Sequence, residues 1–422
     1  MGKNKETNNE QGITLIALII TIIVLLILAG VSIAMLTKNN GILMQAKLAK
    51  ENTALAKQDE ENKLANNNEY INEQLGNVVP GKIVLETKKD NYVDIDGDKA
   101  TIPAGFSVDE KENIISNGMV VHGPDKANGD NGSEFVWIPV PDINSMAQCA
   151  KTDGNCNIQL DGDILKCKTH DDNEEIVGKL YATGIGKNYI DDNANATYSA
   201  DNGLREPAIT ENNSDIETDY NDDLFSLESL QAEYKNMIKQ VIKYGGFYIG
   251  RYETSLSTAT SESPGTSGTA QSKQGVIPTT ASNSTTPTWY GLYSKQNRIY
   301  AEINDSVESS MIWGSQYDAM LNWVKNGTND EEKAKLTNTS LGNNSSKTVV
   351  TTGNENYLSD DINNIRDLGG NLREWTLEAY NSDGRVIRGG FSYYNLSPSY
   401  RFYYSPNNLY TSVGSRLSLY IK

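Results

Sequence analysis

A 24-residue apolar run, Ile13 to Leu36 (ITLIALIITIIVLLILAGVSIAML), follows a polar leader of twelve residues, MGKNKETNNEQG. Sixteen of the 24 are Ile, Leu or Val, and none is charged. On an insertion scale such residues favour the bilayer by roughly 0.3 to 0.6 kcal/mol each, which predicts a transmembrane helix. As a helix the run is roughly 36 Å long, enough to span with some tilt. A cleaved signal peptide fits less well, because its apolar core holds about 7 to 15 residues with the cleavage site after it.

Beyond the run the pattern changes twice. Asn40 to Leu75 is rich in Ala, Leu, Lys, Glu and Gln, with Ala46, Ala49, Thr53 and Ala56 on one narrow stripe. That predicts a helical stalk within 37–79, stopped by Gly76 to Pro80. From Gly81 the texture is strands and turns. IVLETK (83–88) reads as a strand, and Asp94-Ile95-Asp96-Gly97-Asp98 as a hairpin turn whose glycine falls too early for a calcium loop. Phe135 to Val140 reads as a buried strand. Residues 142–222 are polar and predict a surface insertion. An amphipathic helix follows, Leu224 to Tyr244, ended by Gly245-Gly246, then a strand over FYIGRYETS. The Ser/Thr-rich stretch 256–288 predicts a flexible loop, and 328–357 another. A second amphipathic helix is expected over Ser315 to Lys325. Two helices, short strands and long loops predict an α+β domain over 80–422.

The formal charge of −18 argues against nucleic acid and anionic lipid headgroups as partners. Lys3 and Lys5 bias the leader toward the cytoplasm, which places the acidic remainder outside the cell. Cys149, Cys156 and Cys167 are odd in number; Cys149 with Cys156 could close a small loop outside the cell. Only His170 stands near them, so no metal site is expected. No cofactor is called for, and a structural calcium ion is left open.

The Gly12-Ile13-Thr14-Leu15-Ile16 junction resembles a type IV prepilin leader. The resemblance implies cleavage after Gly12 by a prepilin peptidase, methylation of Ile13, and association with pilin subunits. Ala17 stands where pilins usually carry a glutamate.

Three further segments resemble the formylglycine-generating enzyme family, the sulfatase-modifying factors, whose fold is a variant of the C-type lectin fold. They are Phe247 to Ser255, Met311 to Val324, and a C-terminal set. That set comprises Gly370-Asn371-Leu372-Arg373-Glu374-Trp375, Arg388-Gly389-Gly390 and Gly414-Ser415-Arg416. Phe391 and Ser415 depart from the family pattern. Asn371, Glu374, Trp375, Arg388, Gly389, Gly390, Gly414 and Arg416 are read as fold-holding residues. Trp375 is expected as a core anchor, Glu374 and Arg388 as buried hydrogen-bond partners, and the glycine pair as a place of close approach or positive φ. The resemblance implies two copper-binding cysteines after the Arg-Gly-Gly, and here Tyr394 and Ser399 fill those places. The three histidines of a related iron-dependent branch are missing too, since the chain has two. No catalytic residue is expected.

What occupies that region is FSYYNLSPSYRFYYSPNNLYTS, with six tyrosines, five serines and three asparagines. Tyrosine gives large amphipathic contact at low entropic cost, and Ser and Asn give adaptable hydrogen bonding, as in paratopes. The candidate binding residues are Tyr393, Tyr394, Asn395, Ser397, Ser399, Tyr400, Tyr403, Tyr404, Asn407, Asn408 and Tyr410. The arrangement is similar to the variable proteins of diversity-generating retroelements, which implies hypervariable positions at this end of the chain. The expected function is non-catalytic ligand binding at the cell surface or on a pilus, with an extracellular protein or glycan as partner. An enzyme of unrecognised chemistry on this scaffold, and a minor pilin, are the other classes.

Overall fold

The computed structural model describes residues 15–37, 47, 49–50, 52–57, 77–124, 132–149, 158–167, 176–178, 226–280, 288–301, 304–381 and 384–422. Gly12 and Ile13 lie outside the described residues, as does most of the expected stalk. The chain divides into two units, Met1–Leu75 and Gly76–Lys422.

In the first unit α1 spans Leu15–Thr37 with no acidic residue in its first turn and no basic one in its last. Its side chains are described from Leu18 to Ala29, and all of these are exposed. Among the described residues no helix is long and apolar enough to cross a membrane. The span expected at 13–36 extends beyond this stretch at both ends.

The second unit is mixed α+β. Its main strands are β1 (Ser107–Val108), β2 (Val120–His122), β3 (Glu134–Pro139), β4 (Gly246–Gly250) and β5 (Val307–Met311). They are followed by β6 (Arg373–Asn381), β7 (Gly384–Arg388), β8 (Arg401–Tyr404), β9 (Val413–Ser415) and β10 (Leu417–Ile421). The helices are α2 (Leu227–Tyr244), α3 (Trp289–Gln296), α4 (Gly314–Asn326) and α5 (Asp330–Lys335).

One antiparallel six-stranded sheet has the order β5-β10-β4-β3-β2-β1. β3 is apolar at consecutive positions because both faces of this sheet are covered. Val136 and Ile138 enter one core cluster, while Phe135 and Trp137 enter the other. α2 covers the first face through Leu230, Tyr234, Met237, Ile238 and Val241. Its N-cap is Ser226, whose side chain accepts from the Ser229 amide, and it ends at Gly245 with φ of 80°. A Cβ at Gly246 would stand 2.4 Å from the Ile138 carbonyl oxygen, so only glycine lets β4 close on β3. The second sheet has the order β8-β7-β6-β9, with β6 and β9 parallel, and β8 is an edge strand.

The predicted hairpin is present: Tyr92–Val93 pairs with Lys99–Ala100, and Asp94 accepts from the amides of Asp96 and Asp98. Three expectations change. Residues 83–88 form no strand; Ile83 makes a single bridge to Ser107. Ile83 and Leu85 are 55% and 89% exposed, so only Val84 gains from burial. The stretch after 256 holds a ribbon, Thr254–Leu256 with Ala270–Ser272. Its hydroxyls bond the backbone, as Thr260 Oγ1 does with the amides of Glu262 and Ser263, while Leu256, Ala270 and Val276 are buried. In 328–357, α5 forms and Leu336 and Leu341 are buried.

The insertion 142–222 is described in part. Ile143, Met146, Ala147, Ile158 and Ile176 join the core, so these segments are not purely surface. Cys156 and His170 lie outside the described residues.

Glu233 on α2 accepts from the Tyr293 hydroxyl and from Asn297 Nδ2 at 3.2 Å. Burial pushes its carboxyl up from the usual 4.5 to about 7. The folded chain therefore holds this proton more tightly than the unfolded one. Its contribution to stability is complete below 4.5 and is lost as pH rises through about 7. Glu233→Gln is expected to flatten the fall in melting temperature across that window, read by thermal scans at stepped pH.

Candidate functional site

The fold-holding residues converge where β6 begins. Arg416 Nε bonds both oxygens of Glu374 at 3.0 and 3.1 Å. Its Nη1 donates to the Gly250 carbonyl at 2.8 Å and its Nη2 to the Arg366 carbonyl at 2.7 Å. Asn371, at φ of 61°, donates to Glu253 and accepts from the Val350 amide at 2.9 Å. Glu253 also accepts from the Leu372 amide at 2.8 Å. Burial holds the Glu253 carboxyl well above the ordinary carboxylate range; Asp367 and Glu374 add to this and Arg416 opposes it.

Trp375 is fully buried, as expected of a core anchor. Glu374 and Arg388 face each other across β6 and β7. Glu374 takes Arg416, and Arg388 Nη1 bonds Asp318 Oδ1 at 2.8 Å. Gly389 sits at φ of 78°, and a Cβ at Gly390 would meet the Gly369 carbonyl at 2.1 Å. Both expected uses of the glycine pair are therefore present. A Cβ at Gly414 would meet Leu372 at 2.8 Å.

This frame positions 391–412 around the free edge of β8. Tyr393 and Tyr394 are 50% and 65% exposed. Asn395 and Asn408 are exposed too, while Tyr400, Tyr403, Tyr404, Asn407 and Tyr410 are half-buried. The half-buried rings are fixed by stacking. Tyr403 lies 4.0 Å from Tyr380, centroid to centroid, at 17°. Tyr404 lies 4.3 Å from Tyr410 at 15°, and both approach the edge or face of Trp375. Arg373 places its guanidinium 3.8 Å from the Phe391 ring centre and donates to the Tyr404 hydroxyl. Rings anchored at one side and open at the other suit a rigid contact surface, because little side-chain entropy is left to lose.

Ser397 and Ser399 are corrections. They are 7% and 1% exposed, and their hydroxyls lie 3.0 Å apart. With the Ser399 amide bonded to the Leu336 carbonyl, they tie down the loop and present nothing to solvent. Three contributors escaped the sequence reading. Phe402 and Leu409 are exposed at 38% and 58%. Tyr380 comes from β6. The alternation Arg401-Phe402-Tyr403-Tyr404 carried the signal for Phe402, since Arg401 is buried against Glu378 and its neighbour must point the other way. Among the described residues, no group of three or more His, Cys, Asp or Glu could hold a metal ion.

No family model and no curated protein matches the sequence. Among solved structures, Treponema denticola variable protein 1 is similar at 16% identity and a TM-score of 0.28, over 41% of this chain and 84% of its own. The structure titled "Crystal Structure of CarF" is similar at 13% identity and a TM-score of 0.29, over 42% of this chain and 87% of its own. At these scores neither likeness carries an argument.

Proposed function

We propose that this chain is a non-catalytic binding protein displayed outside the cell, capturing an extracellular protein or glycan on the aromatic edge around β8. The observation that carries the proposal is that edge: Tyr393, Tyr394, Asn395, Phe402, Asn408 and Leu409 are exposed together on a braced frame. Exposed aromatic clusters mark binding surfaces.

The other parts of the proposal rest on sequence. A scaffold of formylglycine-generating-enzyme type would be catalytically empty here, because Tyr394 and Ser399 offer no thiolate and no cysteine follows Cys167. The Ile13–Leu36 run would hold the chain in the membrane as a single pass. Leu18 to Leu28 supports this, being aliphatic at every position but Thr21 and exposed in the isolated chain. Cleavage after Gly12 would make the anchor prepilin-like and open the way to pilus association. Retroelement-type diversification would then vary the edge while the frame stays constant.

Two experiments test this. Trypsin added to intact cells is expected to release fragments of the Gly76–Lys422 unit; full protection of that unit would refute external display. Sequencing the locus in sister strains is expected to concentrate changes in codons 393–410, and an even spread along the gene would refute diversification.

A further inference from the structure

A second concave site lies away from the aromatic edge, between α4 and the chain that leaves β3. It encloses about 580 Å³ and is lined by Pro139, Val140 and Pro141 on one side and by Ala319, Asn322, Trp323 and Asn326 on α4. The volume falls within the roughly 300–1,000 Å³ usual for small-ligand pockets.

Its chemistry is specific. The chain has five tryptophans. Trp137, Trp289, Trp313 and Trp375 are at most 1% exposed, whereas Trp323 is half-buried and lines this cleft. Beside it, Asn326 Nδ2 donates to Asn322 Oδ1 at 2.9 Å. Besides that bond, Asn322 carries an NH2 donor and Asn326 an Oδ1 acceptor. Asp98 and Asp142, also lining the cleft, add two exposed carboxylates, and the Lys99 ammonium lies 3.9 Å from the carboxylate of Asp90.

An indole beside a donor and an acceptor matches a molecule with an apolar C–H face and vicinal hydroxyls. A purely apolar guest would strip water from the two amides without replacing it, which is unfavourable. An anionic guest would be repelled by the two carboxylates, whereas neutral hydroxyls can donate to them. We propose that this cleft binds a pyranose unit of a saccharide, with the ring stacked on Trp323 and adjacent hydroxyls bridging Asn322 and Asn326.

Trp323 also supplies the readout, since it alone among the tryptophans is open to a quencher. Acrylamide quenching of the full-length chain would be followed while glucose, galactose, mannose and N-acetylglucosamine are titrated separately. At least one is expected to shield the quenchable emission. Asn322→Ala and Asn326→Ala, both on half-buried or exposed positions, are expected to weaken that sugar about tenfold each. A chain with Tyr393, Tyr394 and Phe402 replaced by Ala should bind it unchanged, which separates this site from the aromatic edge. The proposal is overturned if no sugar in the panel alters quenching, if a proline-rich peptide shields Trp323 where no sugar does, or if either Asn variant binds as well as the parent.

Discussion

Arg416→Met should destabilise the Gly76–Lys422 unit by about 3–5 kcal/mol, the range seen when one member of a buried ion pair is removed. Arg416 and Glu374 are 0% and 1% exposed, and the guanidinium also serves the carbonyls of Gly250 and Arg366. Methionine keeps much of the volume but abandons all of these acceptors. Glu374 is then left beside Glu253 and Asp367 without its cation, and burial already holds all three carboxyls above their ordinary range. Neutralising the orphan should return part of the loss, so Arg416→Met with Glu374→Gln is expected to be more stable than Arg416→Met alone. Chemical denaturation of the three proteins decides this. A loss below about 1 kcal/mol for the single variant would mean that the pair does not hold the frame.

The second large effect is on binding. Replacing Tyr393, Tyr394, Asn395, Phe402 and Asn408 together with Ala removes the outward part of the aromatic edge. Hot-spot residues cost about 2 kcal/mol or more each when truncated, so two of them suffice for a loss of at least 100-fold. The partner recovered by the parent chain from a panel of extracellular proteins and glycans should be lost to that extent. Melting should change little, because surface substitutions away from buried networks usually stay within about 0.5 kcal/mol. Ser397→Ala with Ser399→Ala should behave the opposite way, loosening the loop without removing an exposed contact. Retained capture by the five-site variant would move the binding surface elsewhere.

Much of the frame was legible in the sequence because single physical rules govern it. Phe135 to Val140 reads as a buried strand from its apolar run, and α2 and α4 show themselves by helical spacing with glycine stops. Gly389 and Gly390 were readable as backbone constraints. Other features depend on contacts between distant segments. Nothing in the spacing says that Arg388 reaches Asp318 on α4, 70 positions earlier. The Ser/Thr-rich stretch was misread because composition predicts what a segment cannot bury, and is silent on hydroxyls that close turns locally. Ser397 and Ser399 were misplaced for a related reason: in a loop, residue type alone does not tell which hydroxyls turn inward.

Hydroxyl-radical footprinting of the full-length chain, read residue by residue, addresses the edge itself. Tyr393, Tyr394 and Phe402 should oxidise quickly, Tyr403, Tyr404 and Tyr410 at intermediate rates, and Tyr234 and Tyr317 slowly. If Tyr393, Tyr394 and Phe402 were instead as protected as Tyr317, these rings would belong to the interior, and there would be no exposed surface here for a partner to meet.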